Sequence, residues 1–225
     1  MFMIIGISGM IAAGKSSLSE KLVEHYPNSL LLHEFEENDE VFNTFLKWLY
    51  EKRPNLTIGF QSYIIENHSS KFTEIFEQLK NKPNVDRHLF LDRFSIEHYI
   101  FAKLILKEKE PKYLEAYDAL FTKLITKSEL PDLVIFLDIN FDTFKKRIFE
   151  RGRKSEIDNW DLNYSYFKNL HDNYYKTFKE LADNFQLNFR TIDTNNLTEK
   201  EVYDQVIKII DEEEKQCQMR QLIQE

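Results

Sequence analysis

The stretch Gly9-Met10-Ile11-Ala12-Ala13-Gly14-Lys15-Ser16 follows the apolar run 3–8 and reads G-x-x-x-x-G-K-S. A strand that ends in such a loop and continues as a helix from Lys15 aims backbone N–H groups, a helix N-terminus and one ammonium at the same polyphosphate. The next residues, Ser16 and Ser17, carry hydroxyls, and that of Ser16 suits a magnesium ion. Glycine is scarce, yet Gly6, Gly9 and Gly14 fall in or beside this turn, where backbone must approach phosphate closely. The motif therefore predicts nucleoside triphosphate binding at the end of the first strand of an α/β fold.

Periodicity carries the reading onward. Helices are predicted at 16–25, 41–50, 56–79, 96–107, 112–127, 141–150, 164–184 and 198–214, and strands at 29–33, 88–91, 133–137 and 186–192. With the first strand this makes five, alternating with helices throughout. The pattern implies one domain over residues 1–225: a doubly wound, five-stranded parallel sheet with helices on both faces and a polar, frayed tail after Lys215.

Composition excludes several classes. A net charge of −8 leaves no general basic footprint for nucleic acid, so phosphate binding must be local. No apolar run approaches the ~20 residues that cross a bilayer, and the chain leads straight into the loop strand without a signal-peptide pattern. The single cysteine, Cys217, cannot form an internal disulfide, which fits a reducing compartment. A cytoplasmic protein without membrane or nucleic-acid partners is expected.

Four further stretches carry chemistry. Glu34-Phe35-Glu36-Glu37-Asn38-Asp39-Glu40 crowds carboxylates beyond the carboxyl end of the second strand, where open parallel sheets bind ligands. Most of these suit a solvated turn capping a helix; the one nearest the strand is a candidate general base. Asp92-Arg93 ends another strand, and Asp92 is either a magnesium partner or a helix cap. Phe60-Gln61-Ser62-Tyr63 lies in a helical pattern. Arg147, Arg151-Gly152-Arg153 and Glu156 place three of only eight arginines around one glycine, either a solvated turn or a lid over triphosphate.

Together these stations resemble the deoxyribonucleoside kinase family, P-loop enzymes that phosphorylate the 5′-hydroxyl of deoxynucleosides. The resemblance spans most of the chain and includes Tyr99-Ile100-Phe101-Ala102 after Asp92-Arg93. It implies ATP as phosphate donor, with Gly9 to Ser17, Lys15, Arg151 and Arg153 around it, Mg²⁺ at Ser16 and Asp92, and a homodimer. It further implies Glu34 as general base, with Glu36 one step away as the alternative because Phe35 and Glu36 replace the usual Pro and Val. Arg93 would hold that carboxylate and the 5′-oxygen. Tyr50 and Glu156 match the groups on the sugar 3′-hydroxyl, Gln61 the base-edge reader, Phe60 and Phe101 the aromatics around the base, and Arg147, Arg151 and Arg153 the lid arginines. The family usually has Ser or Thr where Phe94 stands.

A second departure concerns base choice. Where many relatives pair an arginine with an aspartate, the same spacings fall on His68 and His98. Neutral imidazoles each offer one donor and one acceptor, so a pocket preferring purine deoxynucleosides is expected, with a preference that shifts between pH ~5.5 and ~8 as the histidines lose charge. Two other readings stand beside this one. A nucleoside monophosphate kinase of thymidylate kinase type needs an acceptor-side arginine, and only Arg53 and Arg87 lie between Glu34 and Leu91. A guanine-nucleotide switch needs N-K-x-D, whereas Asn81-Lys82-Pro83-Asn84 lacks the aspartate.

Overall fold

The computed structural model describes residues 2–34, 39–83, 85 and 87–224. Along the chain lie β1 (Phe2–Gly9), α1 (Lys15–His25), β2 (Leu30–Leu32), α2 (Glu40–Tyr50), α3 (Thr57–Lys80), β3 (Arg87–Asp92), α4 (Ser95–Leu106), α5 (Pro111–Leu124), β4 (Leu133–Asp138), α6 (Phe141–Arg151), α7 (Lys154–Ile157), α8 (Trp160–Phe185), β5 (Phe189–Asp193) and α9 (Glu199–Gln224). The five strands are all parallel, in the order β2-β3-β1-β4-β5. Helices cover both faces, as the alternating pattern requires.

The chain reverses its direction of travel across the sheet at β1, whose two neighbours are β3 and β4. A crevice opens at the carboxyl ends of strands at such a switch point, and the phosphate loop leaves β1 there. The three central strands are buried on both faces, which is why Ile4, Ile5, Ile7, Leu89, Phe90, Leu91 and residues 133–137 read as continuous apolar runs. Phe94 is fully buried, and a Cβ on Gly6 would stand 3.0 Å from its ring. The small residue in β1 thus makes room for the phenylalanine that departs from the family pattern.

Several boundaries differ from the predicted ones, α8 for instance starting at Trp160 and not at 164, and three of the differences have a local cause. β5 begins at Phe189, because Gln186 takes a left-handed conformation (φ 55°) that closes α8. α5 stops at Leu124, and a capping box between Thr126 and Glu129 starts a short 3₁₀ turn in its place. α9 runs to Gln224 instead of ending near 214, since residues 212–221 are mostly good helix formers. No described helix is long and apolar enough to cross a membrane.

Candidate active site

In the phosphate loop Gly9 has φ 143°, and a Cβ there would lie 2.5 Å from the carbonyl oxygen of Leu137. No other residue fits that place without moving β4. Gly14, at φ 96°, turns the chain into α1, whose first turn holds no acidic residue and no side-chain cap. The positive end of the helix is thereby left for an anion. Lys15 is buried, with Nζ donating to the carbonyls of Gly9 (3.1 Å) and Met10 (3.0 Å). Burial, followed by the charge of Arg93, lowers its pKa to about 8.

Facing the loop, Glu34 follows β2 and its Oε1 lies 2.7 Å from Nε of Arg93. Glu36, the alternative base, lies outside the described residues. Arg93 follows β3 with a left-handed backbone (φ 70°), is 2% exposed, and stacks its guanidinium 4.7 Å from the centre of the Phe101 ring. Beside it Asp92 accepts the hydroxyl of Ser16 at 2.6 Å through Oδ2, while its buried Oδ1 has no hydrogen-bond partner. Asp92 does not cap a helix, since Phe94 occupies the N-cap of α4. Burial raises its pKa, against the pull of Lys15.

A cavity of about 550 Å³ joins Glu34 and Arg93 to the phosphate loop, while Gly9, Met10 and Asp92 lie behind its lining. Ile11 to Ser17, Glu34, Tyr50, Phe60, Gln61, Arg93, His98, Phe101, Arg147, Arg151, Arg153 and Glu156 all line it. His68 does not; it sits behind His98 with ring centres 4.9 Å apart, edge to face. Both histidines are buried, and Nε2 of each, like Oε1 of Gln61, has no hydrogen-bond partner. Burial lowers the pKa of His98 to about 3 and that of His68 well below 6.5. Burial therefore works against the expected change of charge between pH 5.5 and 8, because it favours the neutral imidazole at both positions.

The arginines divide into two groups. Arg147, on the body of α6, donates to the carbonyls of Thr194 (2.8 Å) and Ala13 (3.3 Å), so it braces the phosphate loop against the end of β5. Arg151 and Arg153 flank Gly152, the left-handed cap of α6, and both reach Glu156 on α7, at 2.6 and 3.5 Å. Glu156 is 1% exposed and lines the cavity, so the two cations share one buried carboxylate there. Sequence reasoning missed Glu97 and Tyr174, which contact Arg93 from behind. Arg93 lies before α4 with a left-handed backbone, so no helical spacing linked it to Glu97 in the sequence.

Comparison with known proteins agrees with this geometry. The deoxynucleoside kinase family pattern matches residues 5–217. An uncharacterized protein of Mycoplasma genitalium is 33% identical over 74% of this chain and 72% of its own. A deoxyadenosine kinase of Lactobacillus acidophilus is 29% identical over 69% of this chain and 70% of its own. Among solved structures, a deoxyadenosine kinase from M. mycoides with dCMP and dCDP bound superposes with a TM-score of 0.74, at 21% identity, covering 93% of this chain and all of the other. The chain belongs to the deoxynucleoside kinase family. It is a kinase of nucleoside substrates built on the P-loop fold.

Proposed function

We propose that the protein transfers the γ-phosphoryl group of ATP to the 5′-hydroxyl of a deoxyribonucleoside, with purine deoxynucleosides preferred and Mg²⁺ as the metal, in the cytoplasm. The observation that carries this is the Glu34–Arg93 ion pair at 2.7 Å, facing the phosphate loop across one cavity. Such a carboxylate can take the proton of the acceptor hydroxyl while Arg93 holds both the carboxylate and the oxygen. Phosphoryl transfer otherwise asks for alignment and positive charge, which Lys15, the N-terminus of α1 and Arg151 and Arg153 supply.

The residues fit magnesium. Ser16 Oγ and Asp92 are hard oxygen donors 2.6 Å apart, and Oδ1 of Asp92 is buried without a partner. Among the described residues no group of three His, Cys, Asp or Glu could hold a metal by itself, and Mg²⁺ is usually held by one or two protein oxygens together with substrate phosphates. When bound, the ion neutralises charge on the β- and γ-phosphates. Ser16 and Asp92 would hold it, directly or through water.

On the acceptor side Phe60 and Phe101 would enclose the base, Gln61 and neutral His98 would read its edge, and Tyr50 and Glu156 would take the 3′-hydroxyl. His68 then acts through His98, which it contacts, and not on the base. The donor-and-acceptor character of Gln61 and His98 suits adenine, guanine and cytosine alike, and purine preference is supported by the relative known as a deoxyadenosine kinase. The monophosphate-kinase reading loses its candidates: Arg53 pairs with Glu51, Arg87 donates to backbone carbonyls of Leu79 and Lys82, and neither lines the cavity. A homodimer belongs to the same proposal and rests on family membership alone; sedimentation tests it.

The test is a panel of deoxyadenosine, deoxyguanosine, deoxycytidine and thymidine, with their monophosphates, each with ATP and Mg²⁺. The proposal expects 5′-monophosphates from the nucleosides, purines first. Transfer only to the monophosphates would sink it.

A further inference from the structure

Glu97 is a fully buried carboxylate that the proposed chemistry does not use. Its Oε1 accepts three donors at once: the backbone N–H of Gly9 at 3.1 Å, the hydroxyl of Tyr174 at 2.6 Å and Nη1 of Arg93 at 3.3 Å. Its Oε2 is buried with no hydrogen-bond partner. Tyr174 closes a ring by accepting from Arg93 Nη1 at 2.6 Å. Taking a carboxylate wholly out of water is expensive, and one with an idle oxygen is a poor way to fill space in a core. An apolar side chain would pack there at lower cost.

The three donors show what the carboxylate joins. Gly9 begins the phosphate loop, at the donor side. Arg93 carries Glu34, at the acceptor side. Tyr174 comes from α8, in the packed layer behind. Arg93 also needs holding, because its left-handed backbone is a conformation that arginine does not choose unaided. A fork of N–H groups on a flexible stem, mounted on strained backbone, keeps one position only if its surroundings fix it.

We propose that Glu97, with Tyr174, is a positioning residue that fixes the distance between the phosphate loop and Arg93, and so aligns donor with acceptor. The inference rests on the nucleoside kinase reading above. Each substrate binds to its own side of the cavity, so a slack link should spare binding and slow transfer. An amide at position 97 keeps the volume but loses the charge that draws three donors to one oxygen.

The experiment compares wild type, Glu97→Gln, Tyr174→Phe and the double variant by kcat, both KM values and Tm. Glu97→Gln is expected to lower kcat at least 30-fold while each KM changes less than about threefold and Tm stays within a few degrees. Tyr174→Phe should lower kcat in the same selective way by a smaller factor. The double variant should be no more than about twofold slower than Glu97→Gln alone, because residues that act as one unit are not additive. A Glu97→Gln kcat within threefold of wild type, or single effects that multiply, overturns the proposal. If Glu97→Gln does not fold, the isosteric Tyr174→Phe decides: an unchanged kcat there overturns it as well. Wild-type protein that phosphorylates no deoxynucleoside counts against the substrate reading alone, whereas active wild type with equally active Glu97→Gln counts against Glu97 alone.

Discussion

The carboxylate of Glu34 meets Arg93 through Nε at 2.7 Å, leaving the far side of the guanidinium to Tyr174 and Glu97. One arginine thus holds a candidate base in front while being held from behind. Glu34→Gln should lower kcat by on the order of 10²-fold or more, with a much smaller change in nucleoside KM, as loss of a general base does. Steady-state kinetics check this, and a Glu34→Gln enzyme near wild-type kcat would remove Glu34 from the role.

Lys15 sits in a buried site and not on an exposed loop, and burial already lowers its pKa to about 8. Removing it takes away the charge intended for the β- and γ-phosphates but also a desolvated cation. Lys15→Ala should therefore abolish measurable transfer without lowering Tm. Thermal melts and a turnover assay on the same sample test both halves.

Arg151 and Arg153 share Glu156, which is 1% exposed. Removing Arg151 strips the closer partner from a buried carboxylate that also lines the cavity, where the proposal places the sugar 3′-hydroxyl. Arg151→Ala is expected to lower kcat about 10-fold or more and to raise nucleoside KM several-fold. Arg153→Ala should have the milder effect on KM. Nucleoside binding measured by calorimetry that is unchanged in Arg151→Ala would show the pair to be incidental.

The buried histidines set a pH dependence of stability. His98 has a folded pKa of about 3 against 6.5 for the free side chain, and His68 is lowered in the same direction. Between those values the unfolded chain binds protons that the folded chain refuses. Stability falls as pH drops below about 6.5, by up to roughly 1.4 kcal/mol per pH unit for His98, with His68 acting in the same direction, and above 6.5 neither contributes. Tm plotted against pH should fall less steeply in His98→Gln than in wild type. Base preference, by the same reasoning, should hold constant between pH 5.5 and 8.

Much of this was legible because it is local. The phosphate loop, Asp92-Arg93 and the Arg151-Gly152-Arg153 turn each announce themselves within a few residues, and the apolar runs of β1, β3 and β4 reveal strands buried on two faces. What stayed hidden depends on contact between distant segments. Tyr174 reaches Glu97 across 77 positions, and nothing near either residue signals the other. The charge state of His68 and His98 depends on how α3 packs against α4, so the ordinary titration range misled. Gln186 ends α8 in a conformation that glycine usually supplies, which delayed β5 by three residues from the predicted start at 186.

The position of β1 in the sheet constrains the order of events at the ribosome. β1 is made first, yet its partners are β3, with Phe2 opposite Arg87, and β4, with Ile5 opposite Leu133. The central strand must wait on the order of ten seconds of synthesis before its second neighbour exists. Until β3 is made, Met3, Ile4, Ile5 and Ile7, all buried in the finished molecule, have no strand to pair with, and until β4 is made one edge of β1 stays open. Pairings so remote in sequence also form slowly once the chain is free. Nascent chains of this protein should depend on a holding chaperone until β3 and β4 have been made, and the phosphate loop, whose Gly9 packs against the Leu137 carbonyl of β4, takes its final shape only once β4 is in place.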